Sequence, residues 1–142
     1  MKTLLIFGLI LTAQLANGQN DMLEQYEWKN RLILLFGSMS QPSVEKQITE
    51  LEKDPDGITD RDLLIFHTDK DEVRFILKSS NPSLSASQLR NRYNIGEKEF
   101  RYILIGKDGG VKLNKKEFVP NRDLYSVIDA MPMRQREMRE RK

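Results

Sequence analysis

Residues 32–36 read LILLF and form an uninterrupted apolar run between Arg31 and Gly37. Five residues are too few for a stable helix, and a run without polar alternation is typical of a strand that is buried on both faces. A second run of this kind, LLIF, occupies residues 63–66. Between the two runs, apolar residues recur at helical spacing after Pro42, at positions 44, 48 and 51. The sequence therefore predicts a β-α-β unit with two parallel strands.

Three short features follow or interrupt this unit. Residues 54–57 read DPDG, which is typical of a turn and predicts the end of the first helix. Residues 73–77 largely alternate between apolar and polar side chains, which favours a half-exposed strand. Leu89 and Tyr93 are four residues apart, and this spacing predicts a short helix.

The C-terminal third predicts a hairpin and a helix. Apolar runs at residues 100–105 and 111–113 are separated by Lys107-Asp108-Gly109-Gly110, and Asp-Gly and Gly-Gly supply the positive backbone angles of a tight β-hairpin. An amphipathic helix is predicted to begin at the capping residue Asn121 and to end at Pro132. A β-α-β unit, a helix, an antiparallel hairpin and a C-terminal helix are the order of a three-layer, thioredoxin-like α/β domain.

Composition excludes several classes of function. The chain has 142 residues, 23 basic and 21 acidic side chains, one histidine and no cysteine. Without cysteine this chain cannot use disulfides, thiol redox chemistry or thiolate metal sites. One histidine excludes centres with several histidine ligands, and a net charge of +2 does not suit a protein that binds many phosphates. We therefore predict no cofactor, no metal site and no nucleic-acid partner.

The N-terminus has the pattern of a secretory signal peptide. Lys2 precedes an apolar run at residues 4–11, and small residues at positions 16 and 18 precede Gln19. The apolar run is too short for a comfortable transmembrane span. We predict cleavage after residue 18, a domain over residues 19–133, and a secreted or periplasmic protein without a transmembrane anchor. The alternative is an uncleaved N-terminal anchor.

Polar side chains follow the two buried strands. Ser38, Ser40 and Ser43 come after the first strand and His67 after the second, at the edge where open α/β sheets bind ligands. One hypothesis is a hydrolase or transferase in which His67, oriented by Asp69, activates Ser38 or Ser40. The other interpretation is structural: Ser40 or Ser43 caps the first helix, and His67 lies in a loop. No nucleophile-elbow or oxyanion motif accompanies these residues, which favours the structural interpretation.

Residues 134–142 are basic and poor in core residues. Four of them are arginines: Arg134, Arg136, Arg139 and Arg141. Guanidinium groups pair with carboxylates, phosphates and sulfated glycans, so this tail is a candidate surface for a protein or an anionic extracellular ligand. The alternative is a solvated helical extension with Glu-Arg pairs.

Two other features also have two interpretations. The hairpin segment 107–110 could hold a phosphate on its backbone amides, but the requirements of a tight turn explain its glycines. Tyr26 and Trp28 either form an exposed binding face or pack the N-terminal segment onto the sheet, and we expect packing.

Three blocks of sequence resemble one family. Residues 26–32 (YEWKNRL) lead into the first strand, residues 104–113 (LIGKDGGVKL) form the hairpin, and residues 128–134 (IDAMPMR) follow the last helix. In this order they resemble the DUDES domain, a peroxiredoxin-like domain of unknown function, over about residues 22–138. The family occurs as small secreted bacterial proteins and as modules of vertebrate matrix and sushi-repeat proteins. The resemblance implies a secreted thioredoxin-like domain without an established activity.

The redox site of a thioredoxin is missing from this sequence. Thioredoxins carry two cysteines where the first helix begins, and the corresponding stretch here is Ser40-Gln41-Pro42-Ser43. Serine hydroxyls do not ionise at neutral pH without a strong base and cannot form a disulfide. No proline lies between Ser83 and Val119, so the proline that thioredoxins place before their third strand is missing as well. We predict a redox-inactive interaction module, with this former redox-site edge and the basic tail as candidate surfaces.

Overall fold

The computed structural model describes residues 22–142. A 3-10 turn at Glu24–Tyr26 precedes the regular elements. In chain order these are β1 (Arg31–Phe36), α1 (Pro42–Glu52), α2 (Pro55–Asp60), β2 (Leu63–Asp69), β3 (Glu72–Ile76), α3 (Ala86–Tyr93), β4 (Arg101–Ile105), β5 (Val111–Lys115), α4 (Asn121–Asp129) and α5 (Pro132–Glu140). None of the helices within residues 22–142 is long and apolar enough to cross a membrane. The signal peptide predicted for residues 1–18 lies outside the described residues.

Five strands form one mixed sheet in the order β3-β2-β1-β4-β5. The two strands of the predicted β-α-β unit are parallel, with Arg31 opposite Leu63 and Phe36 opposite Thr68. β4 runs antiparallel to β1, and β5 completes the hairpin with β4. β3 adds an antiparallel edge strand beside β2. The core order β2-β1-β4-β5 with these directions is that of the thioredoxin fold, so the predicted fold class is confirmed.

Both faces of the sheet are covered by helices. Ile33, Leu35 and Ile65 pack on one face against the buried side chains of α1, α2 and α4. Leu34 and Phe66 pack on the other face in a core that includes residues of α3 and of the segment before β1. Successive side chains of residues 32–36 enter opposite cores, and all six residues of β1, including Arg31, are buried.

The structure corrects two details of the predicted helices. α1 ends at Glu52, before residues 54–57 as predicted, but these residues begin α2 and do not form a plain turn: the Oδ1 of Asp54 accepts a hydrogen bond from Gly57 N at 3.0 Å, and Pro55 takes the first helical position. Asn121 does not cap α4, since Pro120 is the N-cap. The Asn121 Nδ2 donates instead to the backbone oxygen of Glu50 in α1, at 2.6 Å.

The chain continues as a helix where a stop was predicted. α4 ends at Asp129, and Pro132 is the first residue of α5. Proline is tolerated at the first helical position because its missing N–H would have no partner there. Most of the segment expected to be a basic tail is therefore helical, and its contacts with the domain are described below.

Candidate functional site

One glutamine joins the loops at the carboxyl ends of the parallel strands. Gln41 lies between β1 and α1, and its Oε1 accepts a hydrogen bond from Ser38 N at 3.1 Å. Its Nε2 donates to the backbone oxygen of Lys98, at 2.8 Å. Asp69, at the end of β2, accepts a hydrogen bond from Met39 N at 3.1 Å. These contacts hold three segments side by side, residues 37–41, 69–71 and 96–99.

The tight passage from β1 into α1 depends on a glycine. Gly37 has a φ of +136°, and a Cβ at this position would lie 2.6 Å from Val44 Cγ2 and 2.8 Å from Gln41 Oε1. An L side chain would meet both backbone strain and a steric clash. Gly37 therefore fixes the direction in which the loop leaves the sheet.

A cleft of about 440 Å³ opens between the three segments, and we call it the carboxyl-edge cleft. Its lining is polar or charged: Ser38, Ser40, Gln41, Lys70, Asp71, Glu97 and Lys98. The four charged side chains are exposed, and none of them forms an ion pair with a residue of the described part of the chain. Met39 lies in the first of the three segments with 43% of its surface exposed.

The serines of this edge contact one another, and within residues 22–142 neither Ser38 nor Ser40 contacts a basic side chain. The hydroxyls of Ser38 and Ser40 are 2.9 Å apart, and Ser40 N donates to the Ser38 hydroxyl at 3.3 Å. The N-cap of α1 is Gln41, without a side-chain capping bond, and Ser43 lies inside the helix. The prediction that Ser40 or Ser43 caps this helix is therefore wrong.

His67 lies inside β2, fully buried, and not in a loop as predicted. Its Nε2 is 2.8 Å from the Gly37 carbonyl oxygen, and because a carbonyl only accepts, this nitrogen carries the proton. Burial lowers the pKa of His67, although this hydrogen bond opposes the effect. Among the described residues, His67 makes no hydrogen bond to Ser38 or Ser40. The structure thus does not assemble the Ser-His pair of the enzyme hypothesis.

The hairpin segment has the contacts of a turn. Asp108 accepts hydrogen bonds from Gly110 N at 3.0 Å and from Lys112 Nζ at 2.9 Å, and these two bonds lower the pKa of its carboxyl. Gly109 has a φ of +81°, which the turn requires. Lys107, by contrast, is buried and points to a different group of charges.

Tyr26 and Trp28 have different environments in the structure. Tyr26 packs on Phe66, with ring centroids 5.3 Å apart, as predicted for a packing role. Trp28 is 67% exposed with a φ of +65°, and its backbone N–H donates to Lys107 O at 2.7 Å. The expectation that Trp28 packs onto the sheet is therefore wrong.

A network of ion pairs occupies the opposite end of the sheet, where β1 and β2 begin. Arg31 is 1% exposed, and its guanidinium donates to both carboxylate oxygens of Glu137 in α5, at 3.1 and 3.3 Å. Lys107 Nζ lies 2.6 Å from Glu137 Oε1 and 2.9 Å from Asp62 Oδ2. Although burial raises the pKa of Glu137, the hydrogen bonds from Lys107 and Arg31 outweigh it and hold that pKa below its usual value.

Further arginines extend these contacts. Arg134, only 3% exposed, pairs with Asp60 and with Asp129. Arg61 pairs with Asp129 at 2.8 Å. Arg141 pairs with Asp60 at 2.9 Å. We call the whole group the amino-edge network, and its members are Arg31, Asp60, Arg61, Asp62, Lys107, Asp129, Arg134, Glu137 and Arg141.

The four C-terminal arginines therefore do not form one free surface. Arg134 and Arg141 belong to the amino-edge network. Arg136 and Arg139 are exposed and form no ion pair with any residue in 22–142. Only these two retain the surface role proposed from the sequence.

Sequence reasoning missed the amino-edge network, although its parts were visible. An arginine directly before an apolar strand indicates a charge at the edge of the core, and Arg31 has this position. Positions 134, 137 and 141 follow helical spacing on one face of α5. The partners of these residues come from distant parts of the chain, so no local pattern connects them.

Residues 22–137 match the family described as a domain of unknown function, DUF4174. The chain belongs to this family. No curated protein matches the DUF4174 chain. Among solved structures it is similar to a thioredoxin-fold protein from Helicobacter pylori, with 12% identity, a TM-score of 0.46 and coverage of 77% of each chain. No group of three or more histidine, aspartate or glutamate side chains within residues 22–142 is placed to hold a metal ion.

Proposed function

We propose that this DUF4174 domain is a secreted interaction module that binds a polar segment of a partner protein in the carboxyl-edge cleft. The observation that carries the proposal is the cleft itself, with two cations and two anions that have no ion partner among the described residues. Lys70 and Lys98 can pair with carboxylates, whereas Asp71 and Glu97 can pair with lysine or arginine. A binding segment with charges of both signs suits this lining.

The cleft lies where a thioredoxin carries its thiols, and this chain has none. Ser40 and Ser43 occupy the stretch of the cysteine pair, and the chain contains no cysteine. Thiol-disulfide exchange needs a thiolate nucleophile, so this chain cannot perform it with its own side chains. The hydroxyls of Ser38 and Ser40 instead offer hydrogen bonds to a bound segment.

Secretion and the DUDES resemblance belong to the same proposal. The signal-peptide pattern of residues 1–18 supports export. The three sequence blocks that resemble the DUDES domain contain Arg31, Lys107, Asp129 and Arg134, all of which belong to the amino-edge network. In this proposal the network stabilises the domain, and the opposite edge binds the partner.

Site-specific crosslinking tests the proposed surface. The full chain is produced with its own N-terminus, and a photoreactive phenylalanine replaces Ser40 in one variant and Lys29 in another. Lys29 is exposed and adjoins the amino edge. A partner captured from the extracellular or envelope fraction at position 40, and not at position 29, supports the cleft. Equal capture at both positions contradicts it.

The captured partner is then purified and titrated against charge variants. We expect Lys98→Glu to weaken binding about tenfold, because it replaces one attractive charge contact by a repulsive one. Lys29→Glu makes the same charge change outside the cleft and should leave the affinity unchanged. If Arg136→Glu with Arg139→Glu abolishes binding and Lys98→Glu does not, the partner is an anionic ligand of α5 and the cleft proposal is wrong.

A further inference from the structure

Helix α5 is attached to the domain by charges and not by an apolar face. Its only buried residue is Arg134. Met133 and Met138 are half-buried, and neither belongs to the two apolar cores. Most surface helices of globular domains bury an apolar stripe. The position of α5 therefore depends on the amino-edge network.

The network pairs a charge pattern on α5 with the reverse pattern on the domain. Along one face, α5 and its C-cap residue Arg141 present the charges of Arg134, Glu137 and Arg141, in the spacing Arg-x-x-Glu-x-x-x-Arg. The guanidinium groups of both arginines donate hydrogen bonds to the carboxylate of Asp60 and also to its backbone oxygen. The central Glu137 meets the cations of Arg31 and Lys107.

This alternation of sign makes the surface selective. A helix shifted by one turn would place an arginine against Arg31 and Lys107, and like charges at such distances repel. The surface therefore recognises a helix with this charge order, and α5 of every copy of the chain carries it.

The connection to α5 is short and extended. α4 ends at Asp129 and α5 begins at Pro132, so only Ala130 and Met131 lie between them. Met131 has an extended backbone, with φ −70° and ψ 138°. A change of dihedral angles at these two residues redirects the whole helix, and short connections of this kind favour helix exchange between copies.

We propose that the amino-edge surface is a helix-binding site that α5 fills within its own chain and that α5 of a second copy fills in an exchanged dimer. The exchange conserves every ion pair of the network, because the partner helix is identical. Within one chain the short connection raises the effective concentration of α5, so the monomer predominates in dilute solution. High salt weakens the exposed pairs of Arg141 and so lowers the free-energy cost of opening α5, which allows exchange when the salt is removed at high protein concentration.

Single-cysteine variants test this proposal without background crosslinking, because the wild-type chain contains no cysteine. Thr59→Cys and Lys142→Cys are neighbours of Asp60 and Arg141, which are in contact, and neither substitution removes a member of the network. The two variants, one of them labelled with heavy nitrogen, are mixed in high salt and concentrated. The salt is then removed, and a short bismaleimide is added.

The expected product is a crosslinked dimer of one light and one heavy chain whose yield rises with protein concentration. Lys98→Cys, in the cleft at the other edge, replaces Thr59→Cys in the control mixture and should give little crosslinked dimer. Equal yields in the two mixtures contradict the proposal. The double variant with both cysteines in one chain reports docking of α5 within that chain. If it crosslinks internally and the mixture gives no dimer, α5 does not exchange and the proposal is wrong.

A matched pair of charge variants tests the recognition itself. Glu137→Gln removes the carboxylate that contacts Arg31 and Lys107 in the monomer and in the dimer alike; because α5 then leaves this surface in both arrangements, we expect about tenfold less crosslinked dimer. Glu140→Gln removes the same charge from an exposed position of the same helix and should not change the yield. Equal yields for the two variants would show that the charge pattern does not select the helix.

Discussion

Glu137→Gln is expected to release α5 before it unfolds the domain. The Glu137 carboxylate accepts two hydrogen bonds from Arg31 and one from Lys107. Removing one partner of a buried ion pair costs about 3–5 kcal/mol when the remaining charge stays buried. Arg31 does not have to stay buried, because undocking of α5 lets water reach its guanidinium. The loss is therefore limited to the contribution of Glu137 to the docking of α5, which we place at about 2 kcal/mol from its three charge-assisted hydrogen bonds discounted for partial exposure.

Two measurements test the effect of Glu137→Gln. Hydrogen exchange should become roughly thirtyfold faster in the amides of α5, which corresponds to about 2 kcal/mol, while the strand amides change much less. Urea unfolding should show a lower midpoint than the wild type, and Glu140→Gln should match the wild type within about 0.5 kcal/mol. If Glu137→Gln and Glu140→Gln give the same exchange rates in α5, the network does not hold the helix and our reasoning is refuted.

Three other perturbations have defined outcomes. Gly37→Ala should lower the free energy of unfolding by about 2 kcal/mol or more, as measured in urea, because its Cβ meets Val44 at 2.6 Å in a backbone conformation that suits glycine; an unchanged midpoint contradicts this. His67→Leu should cost about 1–3 kcal/mol, because the Gly37 carbonyl loses its buried donor, and a neutral or stabilising effect would show that the bond contributes nothing. The hydrogen bond from Arg101 lowers the pKa of Glu99 to about 2. Because this pKa is lower in the folded state than in the unfolded state, the stabilisation is present above about pH 4.5 and is lost as the pH falls toward 2. Glu99→Gln should therefore flatten the acid side of a profile of unfolding free energy against pH.

The sequence predicted those elements whose signals are local. β1 and β2 contain the apolar runs LILLF and LLIF because both of their faces are buried there, and such runs are visible without knowledge of the fold. The hairpin followed from its Asp-Gly-Gly turn. The order of these elements along the chain then indicated a thioredoxin-like α/β domain, without the position of β3 in the sheet.

Two of the errors concern a polar residue whose partner lies far along the chain. The sequence predicts a loop at His67 because polar residues begin at the end of the LLIF run, yet β2 continues to Asp69 and buries the ring against the Gly37 carbonyl. The basic composition of residues 134–142 predicts an exposed tail, whereas Arg134 pairs with Asp60 and Asp129, which lie on other elements. Charge patterns reveal a helical face but do not reveal which distant residues neutralise it.

The most direct test of the proposed function is hydrogen exchange with and without the purified partner captured at position 40. The account predicts slower exchange in residues 37–41, 69–71 and 96–99, which border the carboxyl-edge cleft. It also predicts that exchange in α5 and in the hairpin at residues 107–110 stays unchanged. Protection confined to α5, with none at the cleft, would contradict the central claim and place the binding surface on Arg136 and Arg139.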